Sequence, residues 1–352
     1  MIGFPRPGVS MAFDVTIQPS GHVFEVEDDE TVLEAALRQG YAFPYGCRNG
    51  ACGSCKGRVL QGEVDHGPTR PQGITDAELA DGMALFCQAV PVDDLEIEVR
   101  EIGAARDIVV KTLPCRVAEL NRLADDVMEL RLQLPATERL QFLAGQYLDV
   151  LLKGGDRRSY SLANAPHDDA QLVLHVRQMP GGRFSTMVFE ELKPKALLRI
   201  EGPLGSFFVD EESPRPRLFV GGGTGFGPLK GMLDHLAAEG LDRAHHLFWG
   251  ARGAEGIYAP DWLTRMTDEH AEHFRFTPVL SDTPAETAAG FAAVSGWPHD
   301  AVLAEYPDLS GFDVYMAGPP AMIHAAREAF RAAGLPPEQL YYDSFEPATP
   351  AE

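Results

Sequence analysis

Alternating apolar and polar positions open the readable part of the chain. Phe13-Asp14-Val15-Thr16-Ile17 and His22-Val23-Phe24-Glu25-Val26 place apolar side chains at a period of two. That pattern predicts two strands joined through Pro19-Ser20-Gly21 as a hairpin. The period then changes to a helical one at Val32, Leu33, Ala36 and Leu37, with Thr31 and Glu34 spaced as a capping box and Gly40 as the stop. Ile97 and Val99 alternate with acidic residues and predict a closing strand. Further alternating runs lie at 115–117, 127–132, 147–151 and 172–176, which together predict an antiparallel barrel. Beyond residue 215 the pattern changes again. Short apolar runs at 218–220, 246–250, 276–281 and 313–316 alternate with helical stretches, the mark of a parallel sheet built from β-α-β units. Glu101 to Asp107 is polar, contains Gly103 and two alanines, and is expected to be a linker.

Composition limits what these elements serve. The 352 residues include 52 acidic and 30 basic side chains, a formal charge of −22. Such a polyanion is repelled by nucleic-acid phosphates and anionic lipid, so neither is an expected partner. Residues 1–100 hold sixteen acidic and seven basic side chains, residues 111–212 fifteen and thirteen, and residues 213–352 nineteen and nine. Two acidic blocks flank a nearly balanced one; the first suits docking on a basic partner, and acidity also serves solubility. No apolar run is long enough to span a membrane. The opening MIGFPRPGVS has no apolar h-region, so a secretory signal is not expected, a cytoplasmic location is, and Met11 is an alternative start.

Four of the five cysteines fall in one pattern. Cys47, Cys52 and Cys55 are spaced C-x4-C-x2-C, and Cys87 follows after 31 residues. This is the plant-type [2Fe–2S] spacing. Two irons need four thiolates, and Gly46, Gly50 and Gly53 let the loop curl so that backbone N–H groups meet sulfur. A zinc ribbon pairs two C-x2-C knuckles, and one occurs here. Cys115 lies outside the set and is expected to be a small buried hydrophobe.

Three elements of the middle segment carry chemistry. Arg158-Ser159-Tyr160-Ser161 is an R-x-Y-S string at a strand end, with Tyr160 able to stack on a flavin, Arg158 to pair with its diphosphate and Ser161 to hydrogen-bond near N5. Pro180-Gly181-Gly182-Arg183-Phe184-Ser185-Thr186 is expected to begin a short helix whose N–H groups suit a pyrophosphate. Gly202-Pro203-Leu204-Gly205 is expected to be a turn before the last segment. There, Gly221 to Pro228 follows a strand and precedes a helix over Leu229–Leu236, a phosphate-cradling unit. Pro228 stands where a Walker A loop needs Lys. The carboxyl ends of the parallel strands should gather Gly222–Pro228, Gly250–Arg252, Ser281–Asp282 and Ala317-Gly318-Pro319-Pro320.

On these residues the chain resembles the ferredoxin–NADP reductase superfamily, in the branch with an N-terminal plant-type ferredoxin domain that includes reductases of phenol hydroxylase, methane monooxygenase and benzoate dioxygenase. The resemblance covers residues 12–346. It implies a multidomain α+β and α/β protein: a β-grasp ferredoxin domain at 12–103, an FAD-binding antiparallel β-barrel at 111–212 and a parallel-sheet NAD(P)H-binding domain at 213–346. It implies FAD held by Arg158, Tyr160, Ser161, Val176, Gly181, Gly182 and Ser185. It implies a nucleotide held by Gly222, Gly223, Thr224, Gly225, Pro228, Gly318 and Pro319, and it offers Phe345 as an aromatic beside the flavin. Tyr160, Ser161 and Phe345 are the implied catalytic set. Two departures stand out: the usual Cys-Gly-Pro-Pro reads Ala317-Gly318-Pro319-Pro320, and Ser295-Gly296-Trp297-Pro298 replaces a W-x-G-R form. Asp282 after Ser281 favours NADH, because an acid repels a 2′-phosphate. The implied reaction carries electrons from NADH through FAD and the [2Fe–2S] cluster to an electron-accepting dehydratase or oxygenase component. A redox-sensing module, or a free flavin or ferric reductase, are the other readings; the second has no need of a ferredoxin domain.

Overall fold

The computed structural model describes residues 12–27, 30–102, 108–282 and 287–347. The chain divides into two compact units that meet in sequence between Asp107 and Ile108. Residues 103–107 of the expected linker, and the expected start at Met11, lie outside the described residues.

The first unit is a five-stranded mixed sheet in the order Val23–Val26, Phe13–Gln18, Leu95–Glu98, Lys56–Gln61, Met83–Leu85. The hairpin forms as its alternation predicts, with Val15 paired to Phe24. Strand Leu95–Glu98 runs parallel to Phe13–Gln18 and closes the sheet. Helix Val32–Arg38 starts at Thr31 with both halves of the capping box made. It buries Val32, Leu33, Ala35 and Ala36 against Phe24, Phe43 and Phe86. That packing leaves the 47–55 loop outside the regular elements, where its shape is set by glycines.

Among the described residues the second unit holds two six-stranded sheets and a two-stranded one, Thr287–Ala288 with Phe291–Ala292. The first is six-stranded and antiparallel, ordered Arg157–Ser161, Tyr147–Leu151, Leu197–Leu204, Lys111–Ala124, Val127–Gln133, Leu172–Arg177. One antiparallel bridge, Leu162 to Leu174, joins the residue after the first edge strand to the other edge strand. Gly202–Leu204, expected as a turn, instead ends strand Leu197–Leu204. Gly202 belongs there because a Cβ would press on Leu148 Cβ at 3.0 Å, so the missing side chain lets strands approach. Cys115 is buried among Val117, Leu130 and Leu148. Burial pushes its thiol up to about 12, as a packing residue rather than a ligand.

The second sheet is six-stranded and parallel, ordered Val294–Ser295, Phe274–Leu280, His245–Ala251, Arg217–Gly222, Asp313–Gly318, Leu340–Ser344. The strand order reverses beside Arg217–Gly222, so the carboxyl end of that strand is the switch point where ligands sit. The strand runs two residues into the glycines, and its helix spans Phe226–Glu239, three residues earlier than expected. Pro228 is therefore in the first helical turn, where its missing N–H costs nothing. Leu340–Ser344 was not expected as a strand; it pairs parallel with Asp313–Gly318 and puts Asp343 opposite Ala317. Among the described residues no helix is long and apolar enough to cross a membrane.

A buried histidine gives this unit an acid sensitivity. His246 is 3% exposed, with its ring nitrogens 3.0 Å from the Tyr306 hydroxyl and 2.9 Å from the Thr277 hydroxyl. Burial, then the Arg275 charge, holds it down at about 3, so it is neutral when folded and protonates near 6.5 when unfolded. Its contribution is whole above about pH 6.5 and is lost as pH falls toward 3, at up to about 1.4 kcal/mol per pH unit. His175 and His245 are held down to about 3 in the same way, so thermal unfolding followed from pH 7 to pH 5 should show a falling midpoint, and His246→Asn should make that fall shallower without removing it.

Candidate functional site

In the first unit the four expected cysteines come together as two thiol pairs. Cys47 is hydrogen-bonded to Cys52, and Cys55 to Cys87. The Cys47 N–H points at Cys52 Sγ at 3.5 Å, the Cys52 N–H at Cys47 Sγ at 3.3 Å, and the Ser54 N–H at Cys52 Sγ at 3.5 Å. The Cys47 hydrogen bond outweighs burial and brings Cys52 down to about 6, while Cys47 is raised. Cys87 is lowered by the Cys55 bond and, against burial, by the Gly50 backbone; Cys55 is raised. Gly50 at φ +78° and Gly53 at φ +76° adopt a conformation other residues resist. Gly53 is further fixed by Gly73, whose carbonyl oxygen would meet a Cβ at 2.8 Å.

Among the described residues, no group of three or more His, Cys, Asp or Glu is placed to hold a metal ion. Two pairs of thiols met by backbone N–H groups match, in residue type and number, the four thiolates that a [2Fe–2S] cluster requires, and in that respect the residues fit the group.

In the second unit the flavin motifs and the nucleotide motifs share one edge. Ser161 Oγ donates to Asp343 Oδ2 at 2.9 Å, tying the end of the R-x-Y-S strand to the edge strand of the parallel sheet. Sequence reasoning missed Asp343, because the register of a parallel edge strand leaves no local signal. Tyr160 packs its ring 5.2 Å from Phe184, and burial pushes its hydroxyl up, so it stays a neutral aromatic. Arg158 donates to the Arg157 carbonyl at 2.7 Å. Gly181 sits at φ +71° with open space beyond it, and Gly182 caps helix Arg183–Glu190 with no side-chain hydrogen bond. The first-turn N–H groups are thus uncapped and suit a pyrophosphate.

Ser185 does not present its hydroxyl to that space. Oγ donates to the Gly182 carbonyl at 3.1 Å and accepts from the Met179 N–H at 3.1 Å, so it shapes the loop from inside. Val176 is fully buried in the core, which leaves only its backbone for a ligand.

The glycine loop of the parallel sheet is clamped from three directions. Trp249 Nε1 donates to the Gly223 carbonyl at 2.9 Å, and its ring stacks on Phe226 at 3.9 Å. A Cβ on Gly225 would stand 1.9 Å from the Ala317 carbonyl oxygen, and one on Gly222 would meet Pro319 Cδ at 2.8 Å. Gly318, at φ +144°, lies against the Gly222 backbone and accepts from the Phe345 N–H at 3.0 Å. Ala317 is wholly buried in the core beneath. Arg177, also missed, places Nη1 where it would be 2.8 Å from a Gly223 Cβ and pairs with Asp126 at 3.3 Å. It places a cation beside the Gly223 loop. Asp282 lies at the end of strand Phe274–Leu280, its N–H on the Arg252 carbonyl at 3.0 Å and its carboxylate 3.9 Å from Arg252 Nε.

These two sites define an iron–sulfur flavoprotein reductase, and the chain belongs to the ferredoxin–NADP reductase superfamily. Residues 15–92 match the family described as a 2Fe-2S iron–sulfur cluster binding domain, 114–209 an oxidoreductase FAD-binding domain, and 219–328 an oxidoreductase NAD-binding domain. The chain is 38% identical over 341 residues to CDP-6-deoxy-L-threo-D-glycero-4-hexulose-3-dehydrase reductase of Yersinia pestis, covering 96% of this chain and all of that protein. It is 37% identical to the reductase subunit of an aromatic O-demethylase of Amycolatopsis, again over 96% of this chain and all of the relative. Among solved structures, an Amycolatopsis cytochrome P450 reductase matches with a TM-score of 0.79 at 36% identity, covering 96% of this chain and 100% of that one. The chain is an NADH-dependent electron-transfer oxidoreductase with FAD and a [2Fe–2S] cluster, and its electrons pass to a partner protein.

Proposed function

We propose that the partner is a dehydrase acting on a CDP-linked 6-deoxyhexulose, as in the Yersinia relative. The full-length match to that reductase supports this reading. The second reading is an oxygenase partner, favoured by the similarity to the Amycolatopsis P450 reductase. Mixing the reduced protein with each acceptor decides between them: faster oxidation by the dehydrase named with the Yersinia relative supports the first, and faster oxidation by a P450 oxygenase overturns it. The reading has the enzyme work in the cytoplasm, where thiols stay reduced.

The proposed domains are 12–103, 111–212 and 213–346; the three family matches fall inside them. The first would be a β-grasp, and the second would close as a barrel through the Leu162–Leu174 bridge. Cys47, Cys52, Cys55 and Cys87 would hold the cluster. Arg158, Tyr160, Ser161, the Val176 backbone, Gly181 and Gly182 would hold FAD, with Ser185 bracing the loop. Gly222, Gly223, Thr224, Gly225, Pro228, Gly318 and Pro319 would hold the nucleotide, with Asp282 on its ribose.

Bound in these sites, FAD would supply the conversion between two-electron and one-electron chemistry, and a [2Fe–2S] cluster would supply a one-electron site. The chain's own residues bind, orient and shield. Ser161, held by Asp343, keeps its hydroxyl at one orientation beside the reacting edge. Tyr160 and Phe345 would exclude water from it. Ser161→Ala should slow flavin reduction by NADH about tenfold, the worth of one oriented hydrogen bond. Anaerobic stopped-flow absorbance measures this, and an unchanged rate removes Ser161 from the catalytic set.

A further inference from the structure

We propose that Trp297 is the platform on which the adenine of the dinucleotide stacks, so that it sets selectivity for a dinucleotide over a mononucleotide. This rests on the reading of the second unit as the NADH site and adds the residue that would hold the far end of the ligand.

The strand order supplies the direction. The glycine loop at the end of Arg217–Gly222 is where a pyrophosphate sits. On one side of it lie Asp313–Gly318 and Leu340–Ser344, and the Ser161–Asp343 hydrogen bond brings the flavin motif to that side. The nicotinamide must reach the flavin there. The adenosine half therefore extends the other way, over the ends of His245–Ala251 and Phe274–Leu280.

Backbone hydrogen bonds stitch that second side together. The Ser281 N–H donates to the Ala251 carbonyl at 3.0 Å, the Asp282 N–H to the Arg252 carbonyl at 3.0 Å, and the Gly296 N–H to the Leu280 carbonyl at 2.9 Å. Trp297 follows directly and begins helix Pro298–Glu305, whose Pro298 packs so close to Gly250 that a Cβ there would meet it at 2.4 Å. Gly296 takes φ +123° with no atom near its Cβ position, so its glycine serves the backbone turn that delivers Trp297. The Trp297 backbone is thus fixed to the same edge as Asp282 and Arg252.

Trp297 is among the exposed large apolar side chains. It is 56% exposed, whereas Trp249 and Trp262 are 0% and 8% exposed. An indole left in water on a ligand edge is a flat apolar face for a flat apolar ring. On the same edge Asp282 would accept from a ribose hydroxyl, and Arg252, 88% exposed and 3.9 Å from the Asp282 carboxylate, adds a cation for phosphate.

Two readouts test this on the holoenzyme with ferricyanide as acceptor. Reduced nicotinamide mononucleotide lacks the adenosine half. In Trp297→Ala, the ratio of kcat/KM for NADH to that for the mononucleotide should fall roughly 5- to 100-fold, the range of one lost base stack. Trp297→Phe should recover most of the ratio. In the wild type, ADP-ribose should quench the emission of the exposed indole, and Trp297→Phe should abolish the quench. An unchanged ratio, or equal losses with both substrates, overturns the platform while leaving the NADH site standing. If the wild type reduces ferricyanide with neither nucleotide, the reading of the site itself falls and the platform with it.

Discussion

Cys55→Ser protein is expected to lose delivery of electrons to a protein acceptor by more than about 100-fold while keeping NADH–ferricyanide activity. Cys55 is 2% exposed and hydrogen-bonded to Cys87, so no solvent-facing group stands ready to replace its sulfur. Serine is a hard oxygen ligand whose hydroxyl does not ionise near neutral pH, and soft thiolate is what iron–sulfur clusters select. The flavin motifs belong to the other compact unit and are untouched by the change. Reduction of cytochrome c and of ferricyanide, measured side by side with the visible spectrum, reads the effect. Equal loss of both activities would mean that the flavin depends on the cluster unit, contrary to this division.

Gly225→Ala should lower kcat/KM for NADH about 100-fold and the melting midpoint of its unit by about 5 °C or more. The added methyl would stand 1.9 Å from the Ala317 carbonyl oxygen and 2.4 Å from its carbon. Both atoms are backbone of a central strand, so no side chain can swing away. Overpacking of this kind costs about 1–3 kcal/mol, and here the strain falls on the loop that would carry the phosphates. Gly311→Ala is the matched control. Nothing lies within 4 Å of its Cβ position, and its change should stay within about 0.5 kcal/mol. Calorimetry and steady-state NADH kinetics measure the pair.

Much of this molecule can be read before folding, and the unread parts share a cause. The capping box at Thr31–Glu34, the hairpin and the parallel strands are local patterns, written in neighbouring residues. The cysteine loop is legible because ligand spacing is itself chemistry. Leu340–Ser344 is short, half-buried and lies at an edge, so its alternation is weak and its partner is set by distant packing. Asp343 inherits that obscurity, and its bond to Ser161 spans 182 residues. Gly202-Pro203 reads as a turn by composition, yet the close approach of Leu148 makes it a strand. Ser185 matches the motif by letter, but its hydroxyl is spent inside the loop.

The most direct test of the central claim is anaerobic addition of NADH to the purified holoenzyme, followed by visible absorbance and electron paramagnetic resonance. Bleaching of the flavin together with the signal of a reduced [2Fe–2S] cluster is the expected result. A flavin reduced by NADH beside a cluster that stays oxidised would contradict the account.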